Sequence, residues 1–123
     1  MLGATMVVAT LPVGDLDQAR TFYGETLGLT ELWSNPASIR FRVGDVSELS
    51  VFRRPGLTTE HTLAHFEVAD IEATVRDLEA KGVRFVDYTE GPLVTTNHIA
   101  HIGPALGAWF RDPDGNYLGL RQG

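Results

Sequence analysis

The chain is built twice, and this internal repeat limits its fold more than any other feature. The first copy opens with Val13-Gly14-Asp15-Leu16 and the second with Val68-Ala69-Asp70-Ile71. In each, a strand runs into an aspartate placed to cap the next helix by accepting backbone N–H bonds. Leu16, Ala19, Phe22, Tyr23 and Leu27 lie near one face of a helix predicted over about 15–27. Ile71, Val75 and Leu78 do the same for a helix over about 70–81. Each pattern stops at a glycine followed by an apolar residue, Gly28-Leu29 and Gly82-Val83, where glycine suits a left-handed cap. Three strand-like stretches follow each helix, at about 30–34, 38–43 and 47–53, then at about 83–88, 107–111 and 117–121. Each half therefore reads β-α-β-β-β, an α+β arrangement.

The last two strands flank Asp112-Pro113-Asp114-Gly115, a tight turn in which proline presets one backbone angle and glycine closes the loop. Module one is expected over about 1–55, a linker over about 56–61, and module two over about 62–123 of a single domain. The stretch from Gly91 to Pro104 reads as a long irregular loop carrying His98 and His101, a candidate lid or rim.

Composition removes several function classes. At 123 residues the chain is large enough to bury a core without staples. Its net charge is −6 and its ten basic residues form no run, which argues against a nucleic-acid surface. It has no cysteine, so disulfides, zinc–thiolate sites and cysteine nucleophiles are excluded, and a reducing cytoplasm fits. Met1 to Thr10 lacks the basic flank of a signal peptide, and no apolar stretch is long enough to cross a membrane.

Strand alternation assigns side chains to faces. Leu49 and Val51 share the side expected to meet a helix, which leaves Glu48, Ser50 and Phe52 opposite. Phe66 and Val68 pack inward against a helix, leaving His65 and Glu67. Phe110 leaves Trp109 and Arg111, while Leu118 and Leu120 leave Gly119 and Arg121. Near the start, Val7, Ala9 and Leu11 oppose Met6, Val8 and Thr10; further on, Ile39, Phe41 and Val43 oppose Arg40 and Arg42. Arg40, Arg42 and Arg121 read as the solvated side of a sheet.

Three motifs resemble the vicinal oxygen chelate superfamily, which includes glyoxalase I, bleomycin-resistance proteins, extradiol dioxygenases and methylmalonyl-CoA epimerase. They are Val13-Gly14-Asp15-Leu16 with Phe22-Tyr23 and Leu27-Gly28-Leu29; His65-Phe66-Glu67-Val68 leading to Asp70; and Trp109-Phe110-Arg111-Asp112-Pro113-Asp114-Gly115-Asn116. The resemblance spans nearly the whole chain. It implies two modules whose curled sheets form a cup around the site, with Val8, Thr10, Ser50, Phe52, Trp109 and Arg111 as ligand-binding candidates and His98 and His101 folding over it. It also implies a homodimer.

The metal positions implied by the resemblance fall on Val8, Glu48, His65 and Gly119. Val8 offers only carbon and Gly119 no side chain, so Glu48 and His65 alone make an incomplete divalent-metal site, which would bind weakly. No cofactor is expected. Two readings follow. One is a metal-independent protein that binds an antibiotic or metabolite, with Trp109 and Phe52 as flat apolar surface and Glu48 and Glu67 favouring a cation. The other is a lyase, isomerase or cyclase in which His65 works with Glu48 or Glu67 in proton transfer.

Overall fold

The computed structural model describes residues 2–123, which form two compact units, one up to Thr58 and one from Thr59. The first unit contains β1 (Ala9–Val13), a helical segment, β2 (Thr30–Ser34), β3 (Ser38–Val43) and β4 (Ser47–Arg53). Its sheet runs β1-β4-β3-β2, with β1 parallel to β4 and the other pairs antiparallel. β2 to β4 fall where the hydrophobic alternation puts them. β1 begins only at Ala9, so Val7 lies outside the strand and is 89% exposed rather than packed beside Leu11.

The helical segment starts as α1 (Leu16–Ala19) and continues as a π-helix over Arg20–Thr26. Asp15 is extended and its carboxylate accepts from the N–H groups of Asp17 and Gln18, as its position before the apolar stripe predicts. The wider spiral arises where Thr21, Gly24 and Thr26 weaken α-helical preference. Leu27 N–H then reaches back to the Phe22 carbonyl at 2.8 Å. The segment buries Ala19 and Tyr23, and the Tyr23 ring packs 5.9 Å from that of Phe41. Leu11, Val13, Ile39, Phe41, Leu49 and Val51 complete this core, each 2% exposed or less.

The second unit contains β5 (Thr62–Glu67), α2 (Ile71–Ala80), β6 (Phe85–Val86), β7 (Thr95–Thr96), β8 (Ile99–Ile102), β9 (Ala105–Arg111) and β10 (Tyr117–Gln122). Its sheet runs β5-β10-β9-β8-β7, with β6 also on β9 and β5 parallel to β10. Asp70 caps α2 by accepting from Ala73 N–H, and the Gln122 side chain accepts from Ile71 N–H at 2.8 Å, tying the helix to β10. Ile71, Val75 and Leu78 are buried as the helical spacing predicts. Gly28 and Gly82 both have positive φ, 77° and 92°, at the ends of the two helical segments.

The stretch read as an irregular loop is instead the β7–β8 hairpin, which turns on Asn97 and His98. Both have positive φ, 53° and 72°, as two-residue hairpins with primed turns need. A short polar run with no glycine at the turn carries little strand signal, which explains the misreading. The predicted 83–88 strand shrinks to two residues for a related reason: β8 takes the rest of that edge of β9.

The Asp112–Gly115 turn is fixed by one buried carboxylate. Asp112 is 5% exposed. Its Oδ1 accepts from the N–H groups of Asp114 and Asn116, and its Oδ2 from the Asn116 side-chain amide at 2.7 Å. Gly115 has φ +85° and donates to the Asp112 carbonyl. These bonds set the register of β9 against β10. Replacing Asp112 with Ala orphans several donors, so it should lower stability by about 2–4 kcal/mol, measurable by urea unfolding.

Candidate functional site

In each unit one sheet face carries the helix and the other does not. The helix-free face of the first unit presents Thr10, Glu48, Ser50, Phe52, Arg40 and Arg42, the alternation expected from sequence. Val8 lies just before β1; because Ala9 pairs with Leu49, it comes next to Glu48 along the ladder. Glu48 is not an open carboxylate. Arg40 Nη1 donates to its Oε1 at 2.8 Å, and Arg42 Nη2 lies 4.0 Å from its Oε2. The Arg40 guanidinium also sits 5.1 Å over the Trp33 ring. Ser50 is 8% exposed beside its ladder partners Arg40 and Thr10. Trp33 escaped the sequence reading and Arg40 was read there as solvated, because a lone Trp on an exposed edge strand and an Arg on a polar face look solvated until the register places them together.

The helix-free face of the second unit is built in rows across three strands. His65, Gly119 and Trp109 form one row, and Glu67, Arg121 and Gly107 the next. Gly119, itself buried, therefore separates the imidazole residue from the indole residue in that row. A Cβ there would sit 3.3 Å from the His65 Cβ, so glycine lets that histidine pack close. Gly107 plays a second part. A Cβ on it would lie 3.4 Å from Trp109 Cη2, so the indole rests along its backbone. Tyr88 meets Trp109 edge-on at 5.5 Å between centroids. Gly107 and Tyr88 were also missed from sequence, since their role depends on where the Trp109 side chain lies.

Charges on this face are paired too. Arg121 Nη1 donates to Glu67 Oε1 at 2.9 Å, while His65 Nε2 lies 3.8 Å from Glu67 Oε2, too far for a hydrogen bond. His65 and Glu67 are both more than half exposed. Arg111 stacks 4.7 Å from the Tyr117 ring centroid and donates from Nη1 to the Gly115 carbonyl at 2.8 Å, so it braces the turn. The acidic, cation-favouring surface expected from Glu48 and Glu67 is not what the structure presents, because each carboxylate is neutralised by an arginine on the adjacent strand.

His98 and His101 do not fold over this face. They line a groove of about 540 Å³ on the helix side of the second unit, together with Glu72, Val75, Arg76 and Glu79 of α2. His98 Nδ1 bonds to Asp87 at 2.9 Å and its Nε2 to Glu79 at 2.9 Å, with its ring stacked on Phe85. Two carboxylate acceptors require both ring nitrogens to donate, and the Asp87 hydrogen bond accordingly raises the imidazole pKa above its ordinary value. The turn geometry turned these residues toward the helix, and the sequence reading lacked that turn.

Among the described residues no group of three or more His, Asp or Glu is arranged to hold a metal ion. The four positions that the resemblance assigns to a metal are a valine, an arginine-clamped glutamate, a histidine and a glycine, so this donor set does not fit a divalent ion.

Comparison with known proteins places this geometry in a family. The Glyoxalase/Bleomycin resistance protein/Dioxygenase superfamily matches residues 5–120. No curated protein matches the sequence. Among solved structures, an antibiotic-binding protein from Streptomyces sp. CB03234 is similar, with 24% identity, TM-score 0.72, and 99% of this chain and 98% of that one covered. The bleomycin resistance determinant encoded on the transposon Tn5 is 23% identical with TM-score 0.74, covering 97% of this chain and 98% of that one. A glyoxalase/bleomycin resistance protein/dioxygenase from Alicyclobacillus acidocaldarius shows 15% identity and TM-score 0.70 over 97% and 91% of the two chains. At these identities the structures share a fold.

The His98 pairs predict a pH dependence. A pKa raised on folding contributes stability that is fully present below the unfolded value and lost as pH rises through the folded value. The stability gap between the wild type and His98→Gln should therefore be largest near pH 5.5 and close toward pH 9. Because the partners are partly exposed, the gap should be on the order of 1 kcal/mol, read from urea unfolding at each pH.

Proposed function

We propose that this chain, which belongs to the Glyoxalase/Bleomycin resistance protein/Dioxygenase superfamily, binds a small organic molecule on the helix-free faces of its sheets and needs no metal to do so. The supporting observation is the surface around Trp109: a half-buried indole laid along Gly107, Tyr88 at its edge, and the exposed His65 two strands away in the same row. Flat apolar area beside a few polar groups is what a planar ligand uses. Two solved structures of this fold are named for antibiotic binding and bleomycin resistance, which supports an antibiotic or a similar metabolite as ligand.

Metal independence rests on the donor set. Glu48 shares its carboxylate with Arg40, and Val8 and Gly119 contribute no side-chain donor atom. We expect a cytoplasmic homodimer; no helix among the described residues is long and apolar enough to cross a membrane.

The competing reading is proton transfer by His65, oriented by Glu67 in the same unit. The 3.8 Å separation and the exposure of both groups give it less support than the aromatic surface gives binding.

Intrinsic fluorescence titration with a panel of aromatic antibiotics that includes bleomycin tests the proposal. Saturable quenching without turnover is expected, and Trp109→Ala should weaken binding by about tenfold or more, roughly 1.4 kcal/mol. His65→Ala should change affinity only a few-fold. Product formation that His65→Ala abolishes would replace binding with catalysis. Mn, Fe, Ni and Zn should leave the thermal midpoint unchanged; a large shift lost in His65→Ala would refute metal independence.

A further inference from the structure

The helix-free faces lack the acidic excess of the chain. The sequence carries sixteen acidic and ten basic residues. Among the described residues, Arg40, Arg42, Arg111 and Arg121 lie on the helix-free faces of the two sheets, against Glu48 and Glu67 on their strands and Glu60, 3.8 Å from Arg111. An excess of acid lies elsewhere, as on α2 with Glu72, Asp77 and Glu79. A cationic ligand would find both carboxylates on these faces already paired.

We propose that the ligand of the Trp109 surface is a planar aromatic carboxylate, held by the indole and by Arg121. This rests on the binding reading above and assigns its chemical class. Arg121 is the ladder partner of Gly107, and the Trp109 benzo ring lies against Gly107, so the two residues occupy adjacent rows of one face, with the guanidinium reaching along β10 to Glu67 and Gly123. Only Nη1 of Arg121 is engaged, by Glu67; among the described residues its Nε and Nη2 have no partner. A guanidinium with an unused edge is shaped to take a carboxylate through two parallel N–H bonds. A ring stacked on Trp109 carries its carboxylate to that edge. The Arg121–Glu67 pair is exposed on both sides, 45% and 61%, so it adds little stability and yields readily to a ligand oxygen. Arg111 does not compete for this role, because its Nη1 is held by the Gly115 carbonyl and its plane by Tyr117.

Three probes of one shape separate the terms: 2-naphthoate, neutral 2-naphthamide and 2-naphthylmethylammonium, titrated by calorimetry at low and high salt. Naphthoate should bind about tenfold tighter than the cation, and raised salt should narrow that preference. Arg121→Gln should bring naphthoate to within about threefold of naphthamide and leave naphthamide itself unchanged. Glu67→Gln should strengthen naphthoate by removing a competing acceptor. If the amide or the cation binds as well as the acid, or if Arg121→Gln has no effect on naphthoate, the anion assignment is overturned while aromatic binding stands. If none of the three binds and Trp109 fluorescence is unmoved, both readings fall.

Discussion

A single helix covers only one face of a sheet, and the rest of this molecule depends on that limit. Each unit buries one face under its helix through an unbroken set of Leu, Ile, Val and Phe side chains. The opposite face must then be made acceptable by other means. It is, through arginine–glutamate pairs on adjacent strands and a tryptophan lying along glycine. The same pleat that fills the core therefore delivers Thr10, Ser50 and Phe52 in the first unit, and Trp109 and Arg111 in the second, to the face opposite the helix.

The two glycines of the second sheet show how backbone and side chain cooperate. Gly119 lets His65 approach, and Gly107 makes room for Ile102 and for the indole of Trp109. Neither has positive φ, so neither is needed for a turn. Their value here is the missing side chain. By contrast, Gly115 is demanded by its backbone angle, and the buried Asp112 beside it holds the register that brings Trp109 opposite Gly119. A residue with no contact to the proposed ligand thus fixes the geometry of the residues that touch it.

Much of the fold was legible because its signals are local. Caps at Asp15 and Asp70, glycine stops at Gly28 and Gly82, and alternation through 38–43 and 47–53 all act over a few residues. The errors fell where local signals are weak or absent. The hairpin turn at Asn97-His98 lacks glycine, and the π-helical stretch has an apolar spacing that also fits an α-helix. His98 and His101 were placed on the wrong side because their orientation follows from that turn and from Asp87 and Glu79, which are distant in sequence.

By itself the sequence determined the repeat, the faces of the residues in β3, β4, β9 and β10, and the hairpin that closes the second sheet. These follow from period, turn chemistry and residue type, which require no knowledge of neighbours. Only the tertiary structure decided which charges meet. Glu48 with Arg40, Glu67 with Arg121, and Trp109 on Gly107 depend on strand register and side-chain direction across the sheet. Those pairings neutralise the carboxylates that composition leaves free, because the potential at a surface is set by which groups lie together and not by how many the chain contains.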